Sequence, residues 1–431
     1  MSAYEVLSVL PDELHPELAG FELETPRPGD EGNVHVLAIR GSVAARQARA
    51  LAIEIVYHDR VLRTSPVEEG RFQALVGLLG LKLESELLLR AVLGGDRRTP
   101  LASLTVKRRP LQTDFQPTIQ PLIVTSLGRS GTTWLMKVFA SHPEIVVFRR
   151  FPYEHAAAKY WFHMLHVLSE PANLLESAHP DSFHGDHFRV GHNPYHDETA
   201  FERPALRDWI GCAYLERLAA FSQRNIEDWY VIVARTQEQE SPIYFAEKFF
   251  PSLLNVLMWE LYPNGREVLL VRDFRDVASS MFAFDERRGY AGFGRPDGKS
   301  EDAFIRDEMR DATLAMRNSW RSRGDRAHLV RYEDLMLRPV EALTKLFEYL
   351  ELDCSRQLVD ELLRQAAAEL PEAPGTTADP KLVEVHRTMP DANHSVGRWR
   401  HESDDARADL YWEAFGEVLE EFGYAKSGLP E

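Results

Sequence analysis

PLIVTSLGRSGTTWL, residues 121 to 135, decides the fold. Leu122 to Leu127 is a short apolar run that reads as a buried strand, and the pattern that follows predicts a helix from about Thr132 to Ser141. Between them Gly128-Arg129-Ser130-Gly131-Thr132-Thr133 must turn the chain back on itself. Two glycines allow a tight turn and a close backbone approach to an anion. The loop amides and the helix N-terminus would then aim positive partial charge at that anion. Ser130, Thr132 and Thr133 add hydroxyl donors, and Arg129 adds a full charge. The spacing is not a Walker A, which has four residues between its glycines and a Lys after the second. Here two residues separate Gly128 from Gly131 and no Lys follows, which argues against a nucleoside triphosphate with Mg²⁺. Taken alone, the same residues also fit an ordinary strand-to-helix turn.

The texture recurs further along the chain. EVLLVRDFRDVASS (Glu267 to Ser280) is again an apolar strand that ends in an Arg, with a helix expected from Arg275. HLVRYEDL (His328 to Leu335) precedes Arg338-Pro339 and the helical VEALTKLFEYL. Buried strand runs alternating with helices predict an α/β fold with a central parallel sheet. Read by itself, Arg272 at its strand end would pair with Asp273 or Asp276.

GRSGTTW resembles the 5′-phosphosulfate loop of sulfotransferases that use 3′-phosphoadenosine 5′-phosphosulfate (PAPS). The resemblance implies that Arg129, Ser130, Gly131, Thr132 and Thr133 bind the 5′-phosphosulfate. It also implies that Arg129 steadies charge growing on the bridging oxygen as the S–O bond breaks. In the same family a strand-end Arg and a Ser eight residues later grip the 3′-phosphate, which places Arg272 and Ser280 in that role. Arg275 and Asp276 match the charged pair found between them, while Phe274 stands where a Pro is frequent. RYEDL resembles a family segment of structural role, with Tyr332 near the nucleotide. HSVGRWR (His394 to Arg400) resembles the segment that folds over PAPS, which assigns Gly397 and Arg398 to the nucleotide and lets Trp399 pack nearby. The likeness runs from about residue 120 to 424 and implies a P-loop-like sulfotransferase domain.

Transfer to a hydroxyl or amine needs a group that takes the acceptor's proton, and the chemistry calls for no metal. Glu154, in FRRFPYEHAAAKYW, is the candidate base, because several sulfotransferase branches carry a catalytic Glu soon after the phosphate-loop helix and a His-Pro like His142-Pro143. His155 is its neighbour and the second candidate. Glu247-Lys248 resembles the family's Glu-Lys-Thr/Ser-Pro segment, which brings Lys248 to the transferred group or the acceptor; Phe249 replaces the usual hydroxyl residue. Arg149 and Arg150 would bind an anionic acceptor or pair on the surface. His179, His184, His187, His192 and His196 fit no standard zinc spacing and read as an acceptor-binding lid or an irregular loop. Gly289 to Lys299 is a second candidate for a flexible loop.

Ahead of all this, residues 20 to 110 hold short segments rich in Val, Ile and Leu separated by turn formers, which predict a small all-β, sandwich-like domain. The expected order is a terminal segment over 1–19, the β domain over 20–110, a Pro-containing linker over 111–120 and the α/β domain over 121–431. A formal charge of −17 on 431 residues makes nucleic acid and anionic membranes poor partners, so any anionic ligand must be held by local Arg groups. Two cysteines, no recognisable leader in MSAYEVLSVLPDELHPELAG and no long apolar run predict a cytoplasmic protein without a membrane span. Two other readings stand beside the sulfotransferase. One is a nucleotide-dependent phosphotransferase, which needs the absent Walker Lys. The other is a non-catalytic carbohydrate-binding protein working through its β domain. The acceptor, the oligomeric state and the role of the β domain are not encoded in any motif.

Overall fold

The computed structural model describes residues 2–46, 49–58, 60–95, 97–171, 203–296, 298–367 and 393–428. The chain divides into two compact units, one of Met1–Gln116, Tyr160–Asn225 and Leu253–Leu261, the other of Pro117–Lys159, Ile226–Ser252 and Tyr262–Glu431.

Among its described residues the first unit has nine strands: β1 (Tyr4–Pro11), β2 (Leu18–Thr25), β3 (Glu31–Gly32), β4 (Val36–Ala45), β5 (Ala50–Tyr57), β6 (Arg60–Pro66), β7 (Arg71–Gly77), β8 (Glu84–Leu93) and β9 (Arg97–Arg108). They form an antiparallel sheet of order β3-β1-β9-β8-β5-β6 and a second of order β2-β4-β7. Alternation sets the inward faces. Leu87, Leu89, Ala91 and Leu93 of β8 meet Leu37, Ile39 and Val43 of β4 and Phe72, Ala74 and Val76 of β7 in one core. The β region starts at Tyr4 rather than near residue 20, because β1 pairs along β9 from Tyr4↔Arg108 to Pro11↔Ala102. Its own sequence alternates too weakly to announce that. The unit also takes in helical chain expected in the α/β domain. Arg108 donates to Leu81 O and to Glu260, 152 residues away, and no local pattern encodes such a pair.

The second unit carries β10 (Gln120–Thr125), β11 (Ile145–Val146), β12 (Tyr244–Phe249), β13 (Arg266–Val271) and β14 (Ala327–Arg331), all parallel, in the order β11-β12-β10-β13-β14. Its helices include α1 (Thr132–Ser141), the first turn of α2 (Ala157–Ser169), α3 (Phe274–Arg288), α4 (Arg310–Arg323), α5 (Pro339–Tyr349), α6 (Arg356–Ala367) and α7 (Asp405–Glu421). The sheet is covered on both faces, which is why its strands read as continuous apolar runs. Leu122, Val124, Val268 and Leu270 face α1, α5 and α6, while Leu269 and Val271 face α3, α4 and α7. Every strand therefore ends at one edge of the sheet, where the loops of a ligand site belong. Among the described residues no helix is long and apolar enough to cross a membrane.

Candidate active site

Four strand ends deliver the site. Arg129 follows β10, Lys248 closes β12, Arg272 follows β13 and Tyr332 follows β14. The loop after β10 adopts the turn its glycines permit: Gly131 has φ 88°, and Arg129 shares the left-handed region at φ 66°. A Cβ on Gly131 would lie 2.3 Å from the Tyr332 ring, so only glycine fits. Gly131 is also the N-cap of α1 and brings no side chain to its amides, which leaves the helix start to an anion. Ser130 is buried, and among the described residues its Oγ meets no hydrogen-bond partner. Such a donor is satisfied by a ligand or by an ordered water.

The two phosphate-type loops named from the sequence are bonded to each other. Arg129 Nε donates to Ser280 Oγ at 3.1 Å, and the Arg129 carbonyl accepts from Arg272 Nη1 at 2.8 Å. Arg272 is buried, donates to Ser395 O at 2.5 Å and lies 4.6 Å over the Tyr332 ring. Tyr332 in turn shares a 2.6 Å hydrogen bond with Ser395 Oγ. Burial, then the charges of Arg272 and Arg398, push the Arg129 guanidinium down to about 10. It stays protonated at neutral pH, in a field made by its own kind. Gathering guanidinium groups is unfavourable unless an anion sits among them.

Gly397-Arg398-Trp399 reaches this cluster because Asp276 holds it. The Asp276 carboxylate accepts from Gly397 N at 2.7 Å and Trp399 N at 3.0 Å, and burial pushes it up to about 6. Arg275 is the other half of this clamp. It pairs with buried Asp273 at 2.7 Å, lies 4.2 Å over the Trp399 ring and donates to Ala425 O and Lys426 O. The charged pair between the two predicted phosphate ligands thus fastens the C-terminal segment. Arg398 is buried and forked onto Glu402 at 2.8 Å, one helical turn on. Glu402 had escaped notice, although its i+4 spacing was visible.

On the other side of the loop, Lys248 Nζ donates to Thr133 Oγ1 at 3.1 Å and Pro152 O at 2.5 Å, with Glu154 at 3.9 Å. Burial pushes this ammonium down to about 8; Glu154 opposes the shift and Arg129 adds to it. Glu154 is exposed. His155 is stacked on Phe148 (4.5 Å) and Trp229 (4.9 Å), and burial and Arg150 lower its pKa. Arg149 is turned inward onto Ala140 O at 2.8 Å, closing the end of α1, whereas Arg150 is exposed.

The Gly289–Lys299 loop is tied at its start: Asp285 accepts from Arg288 at 2.7 Å and Gly292 N at 3.1 Å and pairs with Arg295. Phe293 from that loop lies against Gly128. Phe274 packs edge-on to Phe415 and Phe422, so the Pro that it replaces is exchanged for core. The cluster from His179 to His196 lies outside the described residues.

A parallel α/β unit thus brings two strand-to-helix loops, joined through Arg129, and a lysine at the neighbouring strand end to one edge of its sheet. Residues 121–356 match the model of the sulfotransferase family, and the chain belongs to that family. Sulfotransferase 1E1 of Mus musculus is 23% identical over 301 residues, covering 66% of this chain and 94% of that protein. Two solved structures are similar. The sulfotransferase domain of the Synechococcus PCC 7002 olefin synthase covers 75% of this chain and 100% of its own, at 19% identity and a TM-score of 0.41. Mouse SULT7A1 complexed with PAP covers 71% and 85%, at 14% identity and a TM-score of 0.39.

Proposed function

We propose that this chain moves a sulfuryl group from PAPS to a hydroxyl or amine of a ring-bearing acceptor, a carbohydrate being the favoured class. The observation that carries the reading is the gathering of Arg129, Arg272 and Arg398 beside a buried Ser130 hydroxyl that has no partner among the described residues. PAPS has an anionic group at each end of its ribose, and this unit has two anion loops joined at Arg129–Ser280. Ser130, Gly131, Thr132 and Thr133 hold the 5′ end. Arg272, Ser280, Gly397 and Arg398 hold the 3′-phosphate. Glu154 takes the acceptor's proton as the acceptor oxygen or nitrogen bonds to sulfur and the bond from sulfur to the phosphate oxygen breaks. Arg129 and Lys248 receive the charge on the leaving and transferred oxygens. The cluster of Phe148, His155 and Trp229 rings next to Glu154 in sequence supports an acceptor with a ring face. Two cysteines in the whole chain suit a reducing cytoplasm.

The test is transfer of radioactive sulfur from PAPS to panels of saccharides, phenols and amines. Labelling of one class is expected, with Glu154→Gln lowering the rate about 10²- to 10³-fold while binding of 3′-phosphoadenosine 5′-phosphate (PAP) stays unchanged. Transfer of the ATP γ-phosphate in place of sulfur would overturn the reading.

A further inference from the structure

Glu247 has no part in the reading above, although it stands next to Lys248. It is buried at 2% exposure. Its Oε1 accepts from Ala158 N at 2.7 Å and its Oε2 from Lys159 N at 3.1 Å, so one carboxyl caps two amides of the first turn of α2. Tyr230 OH donates to Oε1 as well. Burial pushes this carboxyl up to about 7 while those three bonds hold it down.

Successive side chains of a strand point to opposite faces. Glu247 and Lys248 therefore leave β12 on opposite sides, yet both seize the same short segment. Lys248 takes Pro152 O at its beginning, and Glu247 takes the amides of Ala158 and Lys159 at its end. Glu154 lies between these two anchors. Tyr153, just before it, is held in the left-handed region at φ 64°. A non-glycine residue keeps that conformation only where its surroundings impose it. From this clasp we infer that Glu247 is a positioning residue that sets the Phe151–Ala157 segment, and with it Glu154, against Lys248. The inference deepens the proposed function and rests on Glu154 as the base.

The test uses the full-length chain and needs no acceptor. Amide hydrogen exchange of peptides covering residues 151 to 161 is followed together with trace acetylation of Lys248 against pH, in wild type, Glu247→Ala, Glu247→Gln and Glu154→Gln. Glu247→Ala should speed exchange of those peptides roughly tenfold, and Glu247→Gln, which keeps one acceptor oxygen, about threefold. The Lys248 midpoint should rise in Glu247→Ala, because the loosened segment no longer buries it. It should fall in Glu154→Gln, where the opposing carboxylate is lost and the clasp remains. Unchanged exchange and an unchanged Lys248 midpoint in a folded Glu247 variant would overturn the inference; where Glu247→Ala does not fold, Glu247→Gln decides. PAP binding by wild type, measured alongside, reports on the proposed function separately: its absence sinks that reading whichever way the exchange data fall.

Discussion

Arg108 and Arg272 are equally buried, at 3% and 4% exposure, and their hydrogen-bond partners differ in kind. Arg108, in the β unit, meets both oxygens of a buried carboxylate, Glu260, at 2.5 and 3.0 Å. Arg272, in the α/β unit, donates to two carbonyls, lies on a tyrosine ring and shares its surroundings with Arg129. A guanidinium forked onto a carboxylate that is itself buried, as Arg108 is, has its charge answered inside the protein; Arg398 differs, because its carboxylate partner Glu402 is half-exposed. Guanidinium groups gathered together repel one another, and an anion from outside would relieve that repulsion. Burial alone does not separate the two cases; the partner does.

The comparison breaks most sharply at Arg108. Arg108→Ala removes the charge that answers the largely enclosed Glu260 carboxylate, leaving it the Leu111 amide, and should destabilise its unit by about 3 kcal/mol, read by chemical denaturation. The affinity of the folded fraction for PAP should not move. If Arg108→Ala left stability intact and abolished PAP binding, the structural and ligand roles would have to be exchanged.

Gly131→Ala sharpens the comparison from the loop. It must cope with a φ of 88° and with the Tyr332 ring at 2.3 Å from the new methyl. PAP binding should weaken about 30-fold, a loss of about 2 kcal/mol that titration calorimetry resolves. An affinity equal to wild type would show that the loop does not hold the 5′ end.

The smallest effect concerns pH. Burial pushes Glu247 and Glu333 up to about 7 and Asp276 to about 6. Above the ordinary value of 4.5 for a glutamate, the unfolded chain has released protons that the folded chain still holds. These groups therefore make unfolding release protons, and their contribution to stability declines as pH rises, from about 4.5 to about 7 for Glu247 and Glu333 and from 3.8 to about 6 for Asp276. Glu333→Gln removes one of them and should flatten the stability profile in that window. An identical slope in the variant would show that Glu333 is already ionised there.

Most of the α/β unit could be read from its chain because its signals are local. β10 and β13 are apolar runs, each followed by an Arg and a helix, and the glycines of the first loop sit where the backbone needs them. The clamps were hidden because they join residues far apart. Asp276 meets Gly397 across 121 positions, Glu247 meets Ala158 across 89, and Arg108 meets Glu260 across 152. A carboxylate in sequence looks the same whether it caps a distant helix or faces water. β1 was missed for a related reason: its place depends on pairing with β9, and half-exposed residues along it blur the alternation.

The central claim is that the arginines after β10 and β13 wait for a nucleotide with two anionic ends. Titration calorimetry of PAP into wild type and Arg272→Ala tests it most directly, with ATP and Mg²⁺ as the competing ligand. Micromolar binding of PAP is predicted, weakened about 100-fold in Arg272→Ala while the fold is kept. Folded wild type that ignores PAP, or binds ATP with Mg²⁺ more tightly, would contradict the account.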